Sequence, residues 1–452
     1  MEHDTSNLPL AGISNALSSA IRSTLIRPVD TAVIFYDLDF LRDRIRRLSS
    51  CFPSDTLHAL AIKANPLARI MESSRDSAPN IGTEAASIGE LPLALKTGYR
   101  PDQIVYDSPV KTMADLEFAM KTGVHINIDN LSELERVKKI ILSGSHIQTG
   151  SIGLRINPQT GVGMIAESSV AGEYSKFGVP VKQYRAALEH AFLSYPWLTG
   201  VHLHVGSQGC PMQMLVDGIG ILYDFVMDMN VKRHDTGFPP ISVFDIGGGL
   251  PISYQSGTTP PSMEAYAIEI CKRAPGLFQE EWLQGKIKNQ NSKFENHIRI
   301  PRLITEFGRW VYTNAGWTAS RVEYVKREHT INTAMLHVGA DLFVRECLNP
   351  RDWQHEYSLF DREGKLKTGN DIHPYNLAGP LCFSGDIIAK NVRLPKVEEG
   401  DYIVIHDTGG YTFSMWSRYN SRQTPRIAGY RGDHFEILKE RETLEELHRF
   451  WE

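Results

Sequence analysis

Several things are missing from this chain of 452 residues, and each absence excludes a class of protein. Its five cysteines (Cys51, Cys210, Cys271, Cys347 and Cys382) have no paired spacing. That argues against a disulfide framework and against a zinc site, so no metal is expected and a reducing compartment is. No apolar run approaches the roughly 20 residues that a membrane span needs, so no membrane partner is expected. Neither sign of charge dominates: 48 basic and 53 acidic residues are interspersed, with a net charge of -5, and nothing points to nucleic acid. The start, Met1-Glu2-His3-Asp4, lacks the basic n-region and apolar core of a signal peptide, which makes the cytoplasm the expected location. There is no internal repeat and no low-complexity tract. What remains is a composition ordinary for a globular protein, 42% hydrophobic and 22% charged, on a chain long enough for two or three domains.

From about residue 56 short apolar runs alternate with helical patterns. Strands are expected at 57–62, 79–82, 103–106, 124–128, 151–156, 200–204, 241–246 and 302–306. Amphipathic helices are expected at 88–97, 113–121, 131–142, 182–194 and 212–229, and residues 12–27 read as a further short one. Strand and helix alternating eight times predict an α/β chain folded as a closed (β/α)8 TIM barrel. After about residue 312 the runs 321–326, 330–337, 355–360 and 402–406 are rich in β-branched residues, with turns between them. They predict a mainly β C-terminal domain. The strand-like segment 31–36 precedes the barrel and is expected to join that domain's sheet. The division is therefore an N-terminal segment at 1–37, a barrel at 38–311 and a β domain at 312–452. The polar stretch 285–293 is expected to be a surface insertion.

The chemistry is sought at the strand ends, where such barrels carry it. Leu57-His58-Ala59-Leu60-Ala61-Ile62 runs straight into Lys63. Lysine is rarely buried without a partner. Two accounts stand for this stretch alone: a side chain snorkelling at a strand end, or an amine held in an apolar pocket to form a Schiff base with a carbonyl compound. The sixth strand ends His202-Leu203-His204-Val205-Gly206-Ser207. Its His204 is either a satisfied core residue or a ring stacked on a planar group, with the Ser207 hydroxyl set to hold phosphate. The seventh ends Asp245-Ile246-Gly247-Gly248-Gly249, a flexible turn or a cradle of backbone N–H groups for phosphate. It is not a P-loop, since no Gly-Lys-Ser/Thr follows. The eighth ends Glu306-Phe307-Gly308-Arg309. The Glu–Arg pair is either a plain salt bridge or a carboxylate for a pyridine nitrogen beside an arginine for phosphate. In the β domain, Cys382 sits inside Gly379-Pro380-Leu381-Cys382-Phe383-Ser384-Gly385-Asp386, and Asp407-Thr408-Gly409-Gly410-Tyr411 follows.

With these motifs in place, the chain from residue 31 onward resembles the fold type III pyridoxal-phosphate decarboxylases. These include the diaminopimelate, ornithine and plant-type arginine decarboxylases, and the diaminopimelate branch is the nearest. The resemblance rests on Ala61-Ile62-Lys63-Ala64-Asn65, His204-Val205-Gly206-Ser207, Gly247-Gly248-Gly249, Glu306 with Gly308-Arg309, Cys382 with Gly385-Asp386, and Gly410-Tyr411. It implies that Lys63 carries pyridoxal 5'-phosphate as a Schiff base, that His204 stacks on the ring and that Glu306 pairs with the ring nitrogen. It further implies that Ser207, Gly247, Gly248, Gly249, Gly308, Arg309 and Tyr411 hold the phosphate. Glu84 falls where the family has an aspartate beneath the lysine. The resemblance also implies a head-to-tail homodimer with shared sites, Cys382, Asp386 and Tyr411 coming from the partner subunit and Lys176 pairing with Asp386 across the interface. Cys382 would return a proton to Cα after carbon dioxide leaves.

The departure from the family lies in the substrate end. Diaminopimelate decarboxylases have Cys-Glu-Ser-Gly-Asp where this chain has Cys382-Phe383-Ser384-Gly385-Asp386. Phe383 cannot accept a hydrogen bond from a distal ammonium. Arg345 falls where that branch reads a distal carboxylate, and is otherwise a salt-bridging residue, with Glu346 as a substitute acid. Arg345, Phe383, Asp386 and Tyr411 are thus the expected substrate contacts. Three readings follow: a decarboxylase converting diaminopimelate to lysine, a decarboxylase of another amino acid, or a non-catalytic homologue that regulates one. A racemase on the same barrel is disfavoured by the Cys-x-Ser-Gly-Asp motif.

Overall fold

The structure is a computed structural model that describes residues 7–144, 150–255, 259–279, 282, 300–328 and 331–452. The expected insertion at 285–293, and the first residue of the strand expected at 330–337, lie outside the described residues. The chain divides into two compact units, one of residues 44–252 and 260–310, the other of residues 1–43, 253–259 and 311–452.

The first unit is built on eight parallel strands: β2 (Leu57–Ala61), β3 (Ile81–Ala85), β4 (Ile104–Tyr106), β5 (His125–Ile128), β6 (Ile152–Asn157), β8 (Leu198–His202), β9 (Val243–Asp245) and β10 (Arg302–Thr305). The two-residue β7 (Val179–Pro180) pairs with β6 off the ring. The order runs β5-β4-β3-β2-β10-β9-β8-β6, and pairing of β5 with β6 closes it into a barrel. Helices of 7 to 24 residues intervene, including Met113–Thr122, Leu131–Leu142 and Met212–Asp235. The strand expected at 79–82 is displaced to Ile81–Ala85. Its inward-facing Glu84 broke the apolar run that the sequence pattern relies on, so the strand looked shorter and earlier than it is.

Alternate residues of a strand share a face. Leu57, Ala59, Val105, Val243 and Ile304 form one buried apolar cluster. Two residues beyond Val105, Val243 and Ile304 lie Asp107, Asp245 and Glu306, and Glu84, Arg155 and His202 lie in the C-terminal halves of neighbouring strands. All six are buried. The barrel interior thus passes from apolar to charged on moving toward the C-terminal ends, and buried charges persist only when paired.

The second unit is a nine-stranded sheet. Its main path is β15 (Ile387–Pro395), β14 (Ile372–Ala378), β12 (Asn332–Leu336), β11 (Gly316–Arg327), β1 (Ala32–Asp37), β17 (Arg426–Arg431) and β18 (His434–Lys439), with β13 (Tyr357–Phe360) and β16 (Tyr402–Ile405) branching from β11. The N-terminal strand β1 joins this sheet as expected, and it lies between β11 and β17. Helix Leu10–Arg22 buries Ile13, Ala16, Leu17 and Ala20 against a core of Val33, Phe35, Trp317 and Val404. Phe35 stacks on Trp317 with ring centroids 4.2 Å apart. Strands β14, β15, β17 and β18 were not expected from the apolar pattern; in β15 the exposed Lys390, Asn391 and Arg393 interrupt the apolar run. No helix among the described residues is long and apolar enough to cross a membrane.

Candidate active site

In the barrel unit, β2 ends in a single turn of 3-10 helix at Ile62–Ala64 that carries Lys63. The lysine side chain is 41% exposed, not enclosed in an apolar pocket, and its Nζ donates to Glu84 Oε2 at 2.6 Å. Glu84 has no exposure, and burial pushes its carboxyl up to about 8 while the Lys63 ammonium opposes the rise.

Glycines shape the next wall. Gly247 and Gly249 have φ of +64° and +107°. A Cβ on Gly248 would meet the Glu306 carbonyl and one on Gly249 the Gly206 carbonyl. Only glycine lets these three strand ends close on one another. The Gly248 N–H donates to His204 Nδ1 at 3.2 Å, so that nitrogen carries no proton. Burial, with Arg155 and Lys63 nearby, pushes the His204 imidazole down to about 3, which keeps the ring neutral. Arg309 Nε donates to Ser207 Oγ at 3.2 Å, bringing the expected phosphate ligands together, and Gly308 is buried beside them. The Glu306 N–H donates to the Gly247 carbonyl at 2.7 Å, tying the eighth strand end to the glycine loop.

Below Glu306 lies a set of residues to which the sequence motifs assign no role. His202 is fully buried, with Nε2 3.5 Å from Glu306 Oε2 and Nδ1 3.5 Å from Asp107 Oδ1. Asp107 Oδ2 accepts from Arg155 Nη1 at 3.0 Å. Asp245 accepts from Asn127 Nδ2 at 3.0 Å and from the Gly247 N–H at 2.9 Å. Glu306 Oε1 is buried without a hydrogen-bond partner among the described residues. The signal available is period two: Asp107, Asp245 and Glu306 each sit two places past an apolar core residue of their strand, Val105, Val243 and Ile304.

In the second unit, the β14–β15 hairpin presents the loop 379–386. Asp386 is 4% exposed, and its carboxylate accepts from the Ala340 N–H at 2.6 Å and the Leu381 N–H at 2.5 Å. It fastens the loop base; a Cβ on Gly339 or Gly379 would strike that carboxylate. Cys382 and Phe383 at the loop tip are exposed, the Cys382 N–H donating to Asn420 Oδ1 at 2.7 Å. Phe383 meets Tyr419 edge-on at 6.2 Å. Arg345 donates from Nη2 to the Tyr411 carbonyl at 2.7 Å and lies over the Trp353 ring at 4.1 Å. Tyr411 has a φ of +57°, a region that costs a non-glycine residue on the order of 1 kcal/mol or more. Glu346 is 2% exposed and paired with His355 at 3.0 Å, so it is not a free acid for a substrate ammonium. In the barrel unit, Lys176 is exposed, its Nζ 4.8 Å from the Phe177 ring.

Comparison with known proteins matches residues 38–312 to the pyridoxal-binding domain of the pyridoxal-dependent decarboxylases. The chain is 29% identical over 416 residues to a diaminopimelate decarboxylase of Methanothermobacter thermautotrophicus, covering 90% of this chain and 89% of that protein. It is 27% identical over 427 residues to a diaminopimelate decarboxylase of Zymomonas mobilis, covering 93% and 92%. Among solved structures, the diaminopimelate decarboxylase of Helicobacter pylori complexed with L-lysine superposes with a TM-score of 0.79 at 25% identity, covering 95% of this chain and 99% of that one.

Proposed function

Because this chain belongs to the pyridoxal-dependent decarboxylases, and so is a carboxy-lyase working with pyridoxal 5'-phosphate, we propose that it removes the α-carboxylate of a free amino acid, with meso-diaminopimelate, yielding L-lysine, as the leading substrate. Glu306 carries the reading: a buried carboxylate oxygen without a partner, on the strand end that packs against the glycine loop, fits a protonated ring nitrogen. The rest of the barrel end fits the same group. Lys63 would hold it covalently, His204 would cover one ring face, and Ser207, Gly247, Gly248, Gly249, Gly308 and Arg309 would receive its phosphate. Tyr411 would add a further phosphate contact. Bound there, the cofactor supplies an electron sink for the pair left when carbon dioxide departs.

The remaining work belongs to the protein's own groups. Glu306 stays ionised, since His202 beside it outweighs the effect of burial and draws its carboxyl below the usual glutamate value. The neutral His204 ring adds no charge against the electron-poor ring it covers. Glu84 orients the Lys63 amine. The exposed Cys382 thiol is the general acid that delivers a proton to Cα.

We place the cofactor on residues 38–311 and the substrate end on 312–452, with 1–37 joined to the latter. The exposed Cys382–Phe383 tip supports a homodimer in which a partner copy supplies Cys382, Asp386 and Tyr411. Five free cysteines support a cytoplasmic location. Phe383 favours a second reading, in which the natural substrate lacks a distal ammonium. A purely regulatory role is disfavoured because Lys63, His204, Glu306, Arg309 and Cys382 are all retained. The test is to incubate protein and cofactor with meso-diaminopimelate, ornithine, lysine, arginine and acidic and apolar amino acids, measuring carbon dioxide and amine. Lysine from diaminopimelate is the expected result. Release from another substrate alone selects the second reading, and no carbon dioxide from any substrate overturns decarboxylation by this chain.

A further inference from the structure

The charged layer beneath Glu306 contains more ionisable groups than the reaction described above uses. His202 is flanked by two carboxylates, one at each ring nitrogen, both at 3.5 Å. Neither contact has hydrogen-bond geometry, so the pairing is one of charge: two buried carboxylates facing one ring at this distance favour its doubly protonated, positively charged form. Asp107 is fixed as the ionised partner, because Arg155 Nη1 donates to its other oxygen and both side chains are buried. An adjacent guanidinium holds that carboxyl well below the usual range against the pull of burial. Water has no access to share the load: His202 is 0% exposed and Asp107 and Glu306 are 5% exposed each.

We propose that His202 is a positioning residue for the decarboxylase reaction: an imidazolium clamped between Asp107 and Glu306 that keeps Glu306 ionised and aimed at the ring nitrogen of the bound cofactor. The inference rests on the reading of Glu306 given above. Its chemistry is a matter of which side of one contact holds the proton. A carboxylate facing the ring accepts from a protonated pyridine, which is the electron-poor form. A carboxylic acid in the same place donates to an unprotonated pyridine, a weaker sink. Burial alone favours the acid. The positive charge on the far side of Glu306 reverses that preference without touching the cofactor.

The surroundings agree. Groups facing His202 come from each neighbouring strand end: Asp107 after β4, His125 on β5, Arg155 on β6, Asp245 on β9 and Glu306 after β10, with His204 on its own chain segment. Burial pushes the His202 imidazole down, but Asp107, Glu306 and Asp245 together lift it to about 9. Asp245, between the Asn127 amide and the Gly247 N–H, is pushed up by burial and by Glu306 while the His202 charge opposes the rise. One ring nitrogen and one oxygen each of Asp107 and Glu306 lie within 4.8 Å of one another, a spacing that also fits a divalent cation, so zinc binding is tested alongside.

The first test needs no variant. In cofactor-free full-length protein labelled with 15N-histidine, both His202 ring nitrogens should show protonated chemical shifts up to about pH 8. The signal is identified by its loss in His202→Gln, or, if that protein does not fold, by its displacement in Asp107→Asn and Glu306→Gln. A neutral His202 ring at about pH 7 overturns the proposal. So does tight zinc binding by the cofactor-free protein that His202→Gln abolishes, because the ring would then be a ligand. In cofactor-loaded protein, His202→Gln should move the pH midpoint of the cofactor's visible spectrum by about one unit or more, and lower kcat about tenfold with little change in KM. If Glu306→Gln changes that spectrum and His202→Gln does not, the role of His202 is refuted while the reading of Glu306 stands. If Glu306→Gln leaves the spectrum unchanged, the reading of Glu306 itself fails and the proposal falls with it.

Discussion

Lys63 Nζ and Glu84 Oε2 are 2.6 Å apart, an amine with 41% exposure joined to a carboxylate with none. The pair answers the question raised by a lysine at the end of an apolar strand. The amine is neither a snorkelling surface group nor a sealed one: it meets Glu84, and much of its side chain remains exposed. Borohydride reduction of the cofactor-loaded protein should therefore label Lys63, and Glu84→Gln should leave the labelled position unchanged. Lys63→Ala should remove the label; a label surviving at one other lysine would show that a different amine binds the cofactor. Lys63→Ala also leaves Glu84 buried without its cation, so the carboxyl ionises still later than in the wild type. An acid whose folded pKa is raised binds more protons folded than unfolded. Its effect is a stability that declines as pH rises above the ordinary glutamate value. The cofactor-free variant should thus go on losing thermal stability above about pH 8, where Glu84 of the wild type has already ionised.

The glycine loop sets a second expectation. Gly249 combines a φ of +107° with a Gly206 carbonyl where a Cβ would stand. Gly249→Ala should cost about 1–3 kcal/mol in urea unfolding of the cofactor-free protein, from overpacking and backbone strain. It should also weaken cofactor binding about tenfold or more, as the displaced loop turns its N–H groups away. Unaltered binding measured by absorbance titration would show that this loop does not hold the phosphate.

Low pH should act through histidines buried in neutral form. His58 is fully buried, its Nδ1 2.8 Å from Thr305 Oγ1 and its Nε2 without a partner among the described residues. Burial pushes it down to about 3. Unfolded, the same ring takes a proton near pH 6.5, so between about 6.5 and 3 the unfolded chain binds more protons and stability falls as pH drops. His58→Gln should flatten this dependence by up to one proton, about 1.4 kcal/mol per pH unit. An identical slope in the variant would assign the acid sensitivity to other groups.

The barrel was legible because its strands are two-faced apolar runs and its outer helices amphipathic, so rhythm alone revealed eight repeats. The residues at the strand ends were legible where glycine or histidine marked them, as at Gly247–Gly249 and His204. What stayed hidden was the charged layer of Asp107, Arg155, His202 and Asp245. Each of these looks in the sequence like the polar residue that ends a strand, and only closure of the barrel turns six such endings toward one another. Asp386 shows the same limit from the other side. Nothing in its motif reveals that its carboxylate also accepts from two backbone N–H groups at the loop base.

Phe383 makes the substrate question testable. It stands at the exposed tip of a loop whose base Asp386 fixes, so a change there should alter recognition with little effect on the fold. Nearby Glu346 cannot supply the missing negative charge, since it is buried against His355 and held ionised there. A phenylalanine offers a distal ammonium no acceptor, and an ammonium desolvated without one loses on the order of several kcal/mol. Phe383→Glu should therefore raise kcat/KM for substrates with a distal amine, by about tenfold or more, and lower it for apolar or acidic ones. If meso-diaminopimelate is already the best substrate of the wild type, its distal ammonium is read by a group other than residue 383, and the substitution should leave the ranking of substrates as it was. The order of kcat/KM values across the panel, measured for both proteins, decides between the two substrate readings.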